Sequence, residues 1–138
     1  MTVKEVVLNI DNKPGELARI VGHLYENDVN ISAFWIGDGA KEAQLRFVSH
    51  DAGTAISILT GLSLEATTSE AIAAQIPSHP GGVNSLLRVL QSAGINILHM
   101  YPCLDTRDAI MILDVDKKRE TIGVLKENWI KLYDQSTL

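Results

Sequence analysis

Two short stretches combine the residue types of a polar turn that runs into a helix. They are Asp11-Asn12-Lys13-Pro14-Gly15-Glu16-Leu17 and Pro77-Ser78-His79-Pro80-Gly81-Gly82-Val83. In each, a Pro-Gly pair precedes an apolar-periodic segment and so marks a turn into a helix, with Pro14 suited to the first helical position. A helix start presents main-chain N–H groups without intrahelical partners at the positive end of the helix dipole, which favours an anion. The other reactive side chains do not converge. His23, His50, His79 and His99 lie in separate elements, with no tight Cys/His spacing of a structural zinc site, so no metal is expected. His99 and Cys103 are four residues apart on one strand face, but a buried, inert thiol is the better reading of Cys103. No nucleophile elbow, phosphate-binding glycine loop or dinucleotide fingerprint is present, so neither a catalytic residue nor a cofactor is expected.

The two stretches are one pattern used twice. Pro14 and Pro80, Gly15 and Gly81, Leu24 and Leu90, Asn30 and Asn96, and Ile31 and Ile97 all fall 66 residues apart. From Ile10 to Ile31, six of 22 positions are identical between the copies. Val3 to Ile10 reads as a strand with Val6, Leu8 and Ile10 on one face. Leu17, Ile20, Val21 and Leu24 then form one apolar stripe on a helix. Asn30 to Ile36 and Glu42 to Val48 are strands around a turn at Gly37-Asp38-Gly39. Asp51 is an N-cap for a helix carrying Ala52, Ala55, Ile56 and Leu59, and Leu64 to Thr67 is a closing strand.

The second copy repeats that order. Glu70 to Ile76 is alanine-rich and helical by propensity, but the 66-residue register places it on the first strand, so it is read as a strand. Strands are expected at Asn96 to Cys103, Ala109 to Val115 and Trp129 to Tyr133, and a helix from about Asp116. The order βαββαβ, twice, defines an α+β protein of two ferredoxin-like domains, residues 1–68 and 69–138, each an antiparallel sheet with helices on one face. The other sheet face needs cover, which predicts a homodimer.

Composition narrows the partners. The chain has 138 residues, 46% of them hydrophobic, and a net charge of −5 without a block of Lys or Arg. Direct nucleic-acid binding is therefore not expected. No stretch approaches a membrane span, Met1 to Glu5 is no secretory signal, and the lone Cys103 fits a cytoplasmic protein.

The Pro-Gly helix openings followed by Asn30-Ile31 and Asn96-Ile97 resemble the ACT domain, and the resemblance covers essentially the whole chain as a stand-alone tandem pair. It implies an amino-acid ligand held at a domain–domain interface, between the first loop of one domain and the second strand of a neighbour. The implied contacts are Asp11 to Leu17 with Asn30 and Ile31, and Ser78 to Val83 with Asn96 and Ile97. Gly15 and Gly81 would let the backbone approach a small zwitterion, Asp11 would pair with an ammonium, and Asn12, Asn30, Ser78 and Asn96 would bond either end of it. Gly81-Gly82 is expected to make the second loop the more open. As simpler readings, the Pro-Gly pairs only start helices, and Asn30 and Asn96 only shape turns. Trp35 and Tyr101, at equivalent positions, fit interface packing better than a ligand cage. The implied function is a non-enzymatic regulatory protein that senses an amino acid and signals to a metabolic enzyme or a transcriptional regulator. The alternatives are a small enzyme on the same scaffold and an assembly subunit with no ligand.

Overall fold

The computed structural model describes residues 1–37 and 41–138, so Asp38 and Gly39 of the expected turn lie outside the described residues. The chain divides into two compact units, Lys4–Ser69 and Glu70–Leu138, the latter together with Met1–Val3. The elements are β1 (Val3–Asp11), α1 (Glu16–Glu26), β2 (Ile31–Gly37), β3 (Glu42–Ser49), α2 (Ala52–Gly61) and β4 (Ala66–Gln75). They are followed by α3 (Gly82–Ser92), β5 (Ile97–Pro102), β6 (Ile110–Val115), α4 (Lys118–Glu127) and β7 (Leu132–Tyr133). A 3-10 turn at Gln135–Thr137 ends the chain.

In the unit Lys4–Ser69, β3 pairs antiparallel with both β1 and β2. Alternation along the strands decides the two faces. Val6, Leu8 and Ile10 of β1 and Ala43, Leu45 and Phe47 of β3 face α1 and α2, where Ile20, Leu24, Ala55 and Leu59 close a fully buried core. In the other unit, β6 pairs antiparallel with β4 and β5, and β7 pairs with β4. Ile72, Ala74, Met111, Leu113 and Val115 meet Leu86 and Leu90 of α3 and Leu125 of α4 in the equivalent core. Each fully buried Leu, Ile or Phe contributes about 1.5–3 kcal/mol by leaving water. Both units are thus ferredoxin-like, with an antiparallel sheet and two helices on one face.

The alanine-rich segment at Glu70 is a strand, because Ile72 and Ala74 fill a core that a helix would not reach. Two strands were expected at its borders, Leu64 to Thr67 and Glu70 to Ile76; the chain instead forms one strand, Ala66–Gln75. No Gly or Pro lies between Thr67 and Glu70 to break the extended backbone. Pro14 is not the first helical residue. It lies one position before the N-cap Gly15, whose φ of 85° puts the cap in the left-handed region that favours glycine. Asp51 caps α2 as expected, accepting from the Thr54 N–H at 3.0 Å. Asp116 does not start its helix: its carboxylate accepts from the Asn96 N–H, and Lys117 is the cap of α4.

All four helices end on a residue with positive φ, namely Asp28, Ser63, Gly94 and Trp129. Trp129 is therefore a helix terminator, 95% exposed, and not the start of a closing strand, which is only Leu132–Tyr133. The 66-residue register places it on Ser63.

The helix-free sheet faces differ between the units. In the first, Arg46 lies opposite Trp35 of β2 and Val7 of β1, with Glu5 its diagonal neighbour two residues before Val7 on the same face. The Glu5 carboxylate is fully buried and accepts from Arg46 Nη1 at 2.6 Å, while Arg46 Nε donates to Gln44. The equivalent positions of the second unit carry Ala71, Ile112 and Tyr101, all buried.

Candidate ligand-binding loops

The first loop leaves β1 through Asn12, whose N–H donates to the Lys41 carbonyl and extends the β1–β3 ladder by one bond. Asp11 and Lys13 are exposed and 3.9 Å apart, a pair worth little in itself that nonetheless places a cation beside the carboxylate expected to meet an ammonium. Glu16, the first helical residue, is buried and accepts from the Arg19 guanidinium, which holds its carboxyl below the usual carboxylate range. A negative charge therefore already sits at the positive end of α1.

The second loop starts earlier. Pro77 has no N–H to continue the ladder, so the last bond is Ile76 N–H to the Ala109 carbonyl at 2.8 Å. The N-cap Gly81 has a φ of 81°, matching Gly15, and a side chain there would meet no atom within 4 Å. Gly82 corrects the expectation of an opened backbone. It is buried, its N–H donates to the His79 carbonyl, and a Cβ there would lie 2.0 Å from the Pro77 oxygen. It is glycine because the loop is closed upon it.

His79 Nδ1 lies 2.8 Å from the Pro80 carbonyl, which can only accept, so Nδ1 carries the proton and Nε2 is the acceptor of the neutral ring. The first turn of α3 contains no acidic residue. Val83 is exposed beside it.

Asn30 and Ile31 do not join the loop of their own unit. Ile31 pairs with Ser49 at one end of β3, whereas Asp11 pairs with Glu42 at the other. At about 3.3 Å per strand residue the separation is on the order of 20 Å. Asn96 and Ile97 stand in the same relation to the second loop, since Ile97 pairs with Val115 and Ile76 meets Ala109. Each unit thus carries the two halves of the expected contact set at opposite ends of one sheet.

The remaining polar groups sort into other environments. His99 Nδ1 lies 3.3 Å from Asp114, which also meets Lys118 Nζ at 3.6 Å, so the histidine pairs with an acid. Among the described residues, no three His, Cys, Asp or Glu side chains are grouped as metal ligands. Burial pushes the Cys103 thiol up to about 11. The thiolate fraction at pH 8 is then about 100-fold below that of an exposed cysteine, since thiolate abundance falls tenfold per pH unit of separation. Labelling with a thiol-exchange reagent at pH 8 is expected to be slower by that factor in the native protein than in urea. Equal rates would mean that Cys103 is not shielded. Unread in the sequence were Arg19, the partner of Glu16, although the i, i+3 spacing of opposite charges pointed to it, and the hairpin cluster described below.

Two βαββαβ units, each opening its first helix with a Pro-Gly turn, form a duplicated ferredoxin-like module. The chain belongs to the ACT domain pair family, whose sequence profile matches residues 1–138. It superimposes on a protein from Bacteroides thetaiotaomicron with a TM-score of 0.90 and 25% identity, over 99% of this chain and 94% of the other. The ligand-free regulatory subunit of aspartate kinase from Thermus thermophilus shares the fold, with a TM-score of 0.63, 16% identity and coverage of 91% and 88%. So does a structure of aspartokinase alpha and beta subunits, at a TM-score of 0.61, 18% identity and 93% and 92% coverage. No curated protein matches the sequence. Among the described residues, no helix is long and apolar enough to cross a membrane.

Proposed function

We propose that this protein is a non-catalytic, cytoplasmic sensor of an amino acid, built of two ACT domains at residues 1–68 and 69–138. The carrying observation is the contrast between the two helix starts. Glu16 already neutralises the first, whereas the second has no acid in its opening turn and presents the N–H groups of Val83 and Asn84 at the positive end of α3. A ligand α-carboxylate is received there, and the bare Nε2 of His79 accepts from its ammonium. Asp11 to Leu17 form the second, weaker version of the same loop.

Because Asn96 and Ile97 stand at the far end of the same sheet, the strand half of the site comes from a different domain, in a second copy of the chain. Binding then favours one arrangement of the copies by its differential affinity, and a metabolic enzyme or a transcriptional regulator reads the change.

Thermal melts with each of the twenty amino acids test this. A ligand at 100 times its Kd stabilises by about 2.7 kcal/mol. At least one amino acid is expected to raise Tm, with the shift reduced in His79→Ala and accompanied by dimer formation in sedimentation. A flat panel, or a shift indifferent to His79, would sink the reading.

A further inference from the structure

A cavity of about 360 Å³ opens at the tip of the β5–β6 hairpin, within the unit Glu70–Leu138. That volume lies within the range of about 300–1,000 Å³ usual for small-molecule sites. Ile76 and Ile110 supply apolar wall, and Asp105, Arg107 and Asp108 supply charge. Asp105 and Arg107 carry opposite charges in the loop between β5 and β6, yet neither has an ion-pair partner among the described residues.

The tip is pinned on several sides. The Cys103 N–H donates to the Ile110 carbonyl at 2.9 Å and the Ile76 N–H to the Ala109 carbonyl. Thr106 Oγ1 donates to the Asp108 carbonyl at 2.6 Å, and the Tyr133 hydroxyl donates to Asp108 Oδ2 at 3.0 Å. Burial first, and the Asp108 hydrogen bond second, push the Tyr133 phenol up to about 12, so it remains a donor. Asp105 holds a φ of 50°, which is uncommon outside glycine and persists where the surroundings over-determine it.

We infer that this hairpin is a self-contained site for an α-amino acid with an apolar side chain, held by Arg107 at its carboxylate and by Asp105 at its ammonium. The guanidinium fork matches a carboxylate in bidentate geometry, and the free oxygen of Asp108 takes a further ammonium hydrogen. Ile76 and Ile110 receive the side chain, and the neutral Cys103 thiol adds no charge to that wall. All of these groups belong to one domain, so the site stands whether or not the Pro-Gly loops bind.

The test is a two-dimensional ¹H–¹⁵N titration of the full chain with L-alanine, L-valine, L-leucine, L-isoleucine and L-methionine. At least one is expected to shift the amides of Thr106 to Ile110 saturably. Its analogues lacking the amine or the carboxylate (isocaproate and isoamylamine in the case of leucine) are expected to leave them unmoved. Arg107→Ala and Asp105→Asn, the latter keeping a residue that tolerates positive φ, should each weaken binding at least about tenfold, as for a lost charge-assisted hydrogen bond. Hairpin amides indifferent to all five amino acids would overturn the inference. So would shifts that survive both substitutions. Shifts confined to the amides of Gly15 to Arg19 or Gly81 to Ser85 would overturn it while supporting the loops.

Discussion

Arg46→Ile is expected to destabilise the protein by about 3–5 kcal/mol, the usual cost of removing one partner of a buried ion pair. Glu5 is fully buried, and the Arg46 side chain is only 13% exposed. Without the guanidinium at 2.6 Å, the carboxylate remains out of water and short of its cation. Glu5→Ala alone should cost less, because a long Arg side chain can extend its head toward solvent. The informative variant is the double one, Glu5→Ala with Arg46→Ile. It installs the residues that the second unit has at the same register positions, Ala71 and Ile112, both fully buried. The double variant is expected within about 1 kcal/mol of wild type, because apolar replacement of a whole buried pair is often neutral or stabilising. Urea titrations of the four proteins complete the cycle. A single-variant loss below 1 kcal/mol, or a double variant as unstable as Arg46→Ile, would show that the pair is not what holds this face.

That pair also shows what the sequence could and could not disclose. Along Glu42 to Val48, Ala43, Leu45 and Phe47 alternate with Gln44 and Arg46, which reads Arg46 onto the wetter face, as the strand has it. Its partner, 41 residues away, follows only from the β1–β3 register. Periodicity names faces, but pairing needs the register.

The duplication carried most of the rest. It overruled the helical propensity of Glu70 to Ile76, and the fully buried Ile72 explains why the register was the better guide. It failed where the copies diverge physically. The absence of Gly or Pro between Thr67 and Glu70 is the one sign that β4 is a single element, and dividing the chain into two copies at that point conceals it. Aromatic propensity favours a strand at Trp129, and a bulky residue at positive φ is an outlier that propensity does not anticipate. The equivalence with Ser63 was the available signal, and propensity concealed it. In the candidate loops, the Pro-Gly helix openings were legible, but not that Gly15 and Gly81 are the caps or that Gly82 is enclosed. The separation of each loop from its Asn-Ile was not legible either, because it depends on which strand ends are paired.

Gly82→Ala is expected to cost about 2–4 kcal/mol, the sum of overpacking and one disturbed hydrogen bond. The added Cβ would sit 2.0 Å from the Pro77 oxygen and 3.1 Å from Ile76 Cγ2. The nearer atom is backbone, so it cannot swing aside as the end of a long side chain would. The Pro77 oxygen also accepts from the His79 N–H at 3.0 Å, and moving it loosens the turn that positions His79. Gly81→Ala next door should cost only about 1–2 kcal/mol, because it has open space around it and pays for left-handed φ alone. Gly81→Asn should recover part of that loss, and Gly82→Asn should recover none. The two glycines are therefore separable by chemistry: one answers to φ and the other to volume. If Gly82→Ala were as mild as Gly81→Ala, the loop would be loose enough to move Pro77. A ligand carboxylate would then meet a mobile helix start instead of a preformed one.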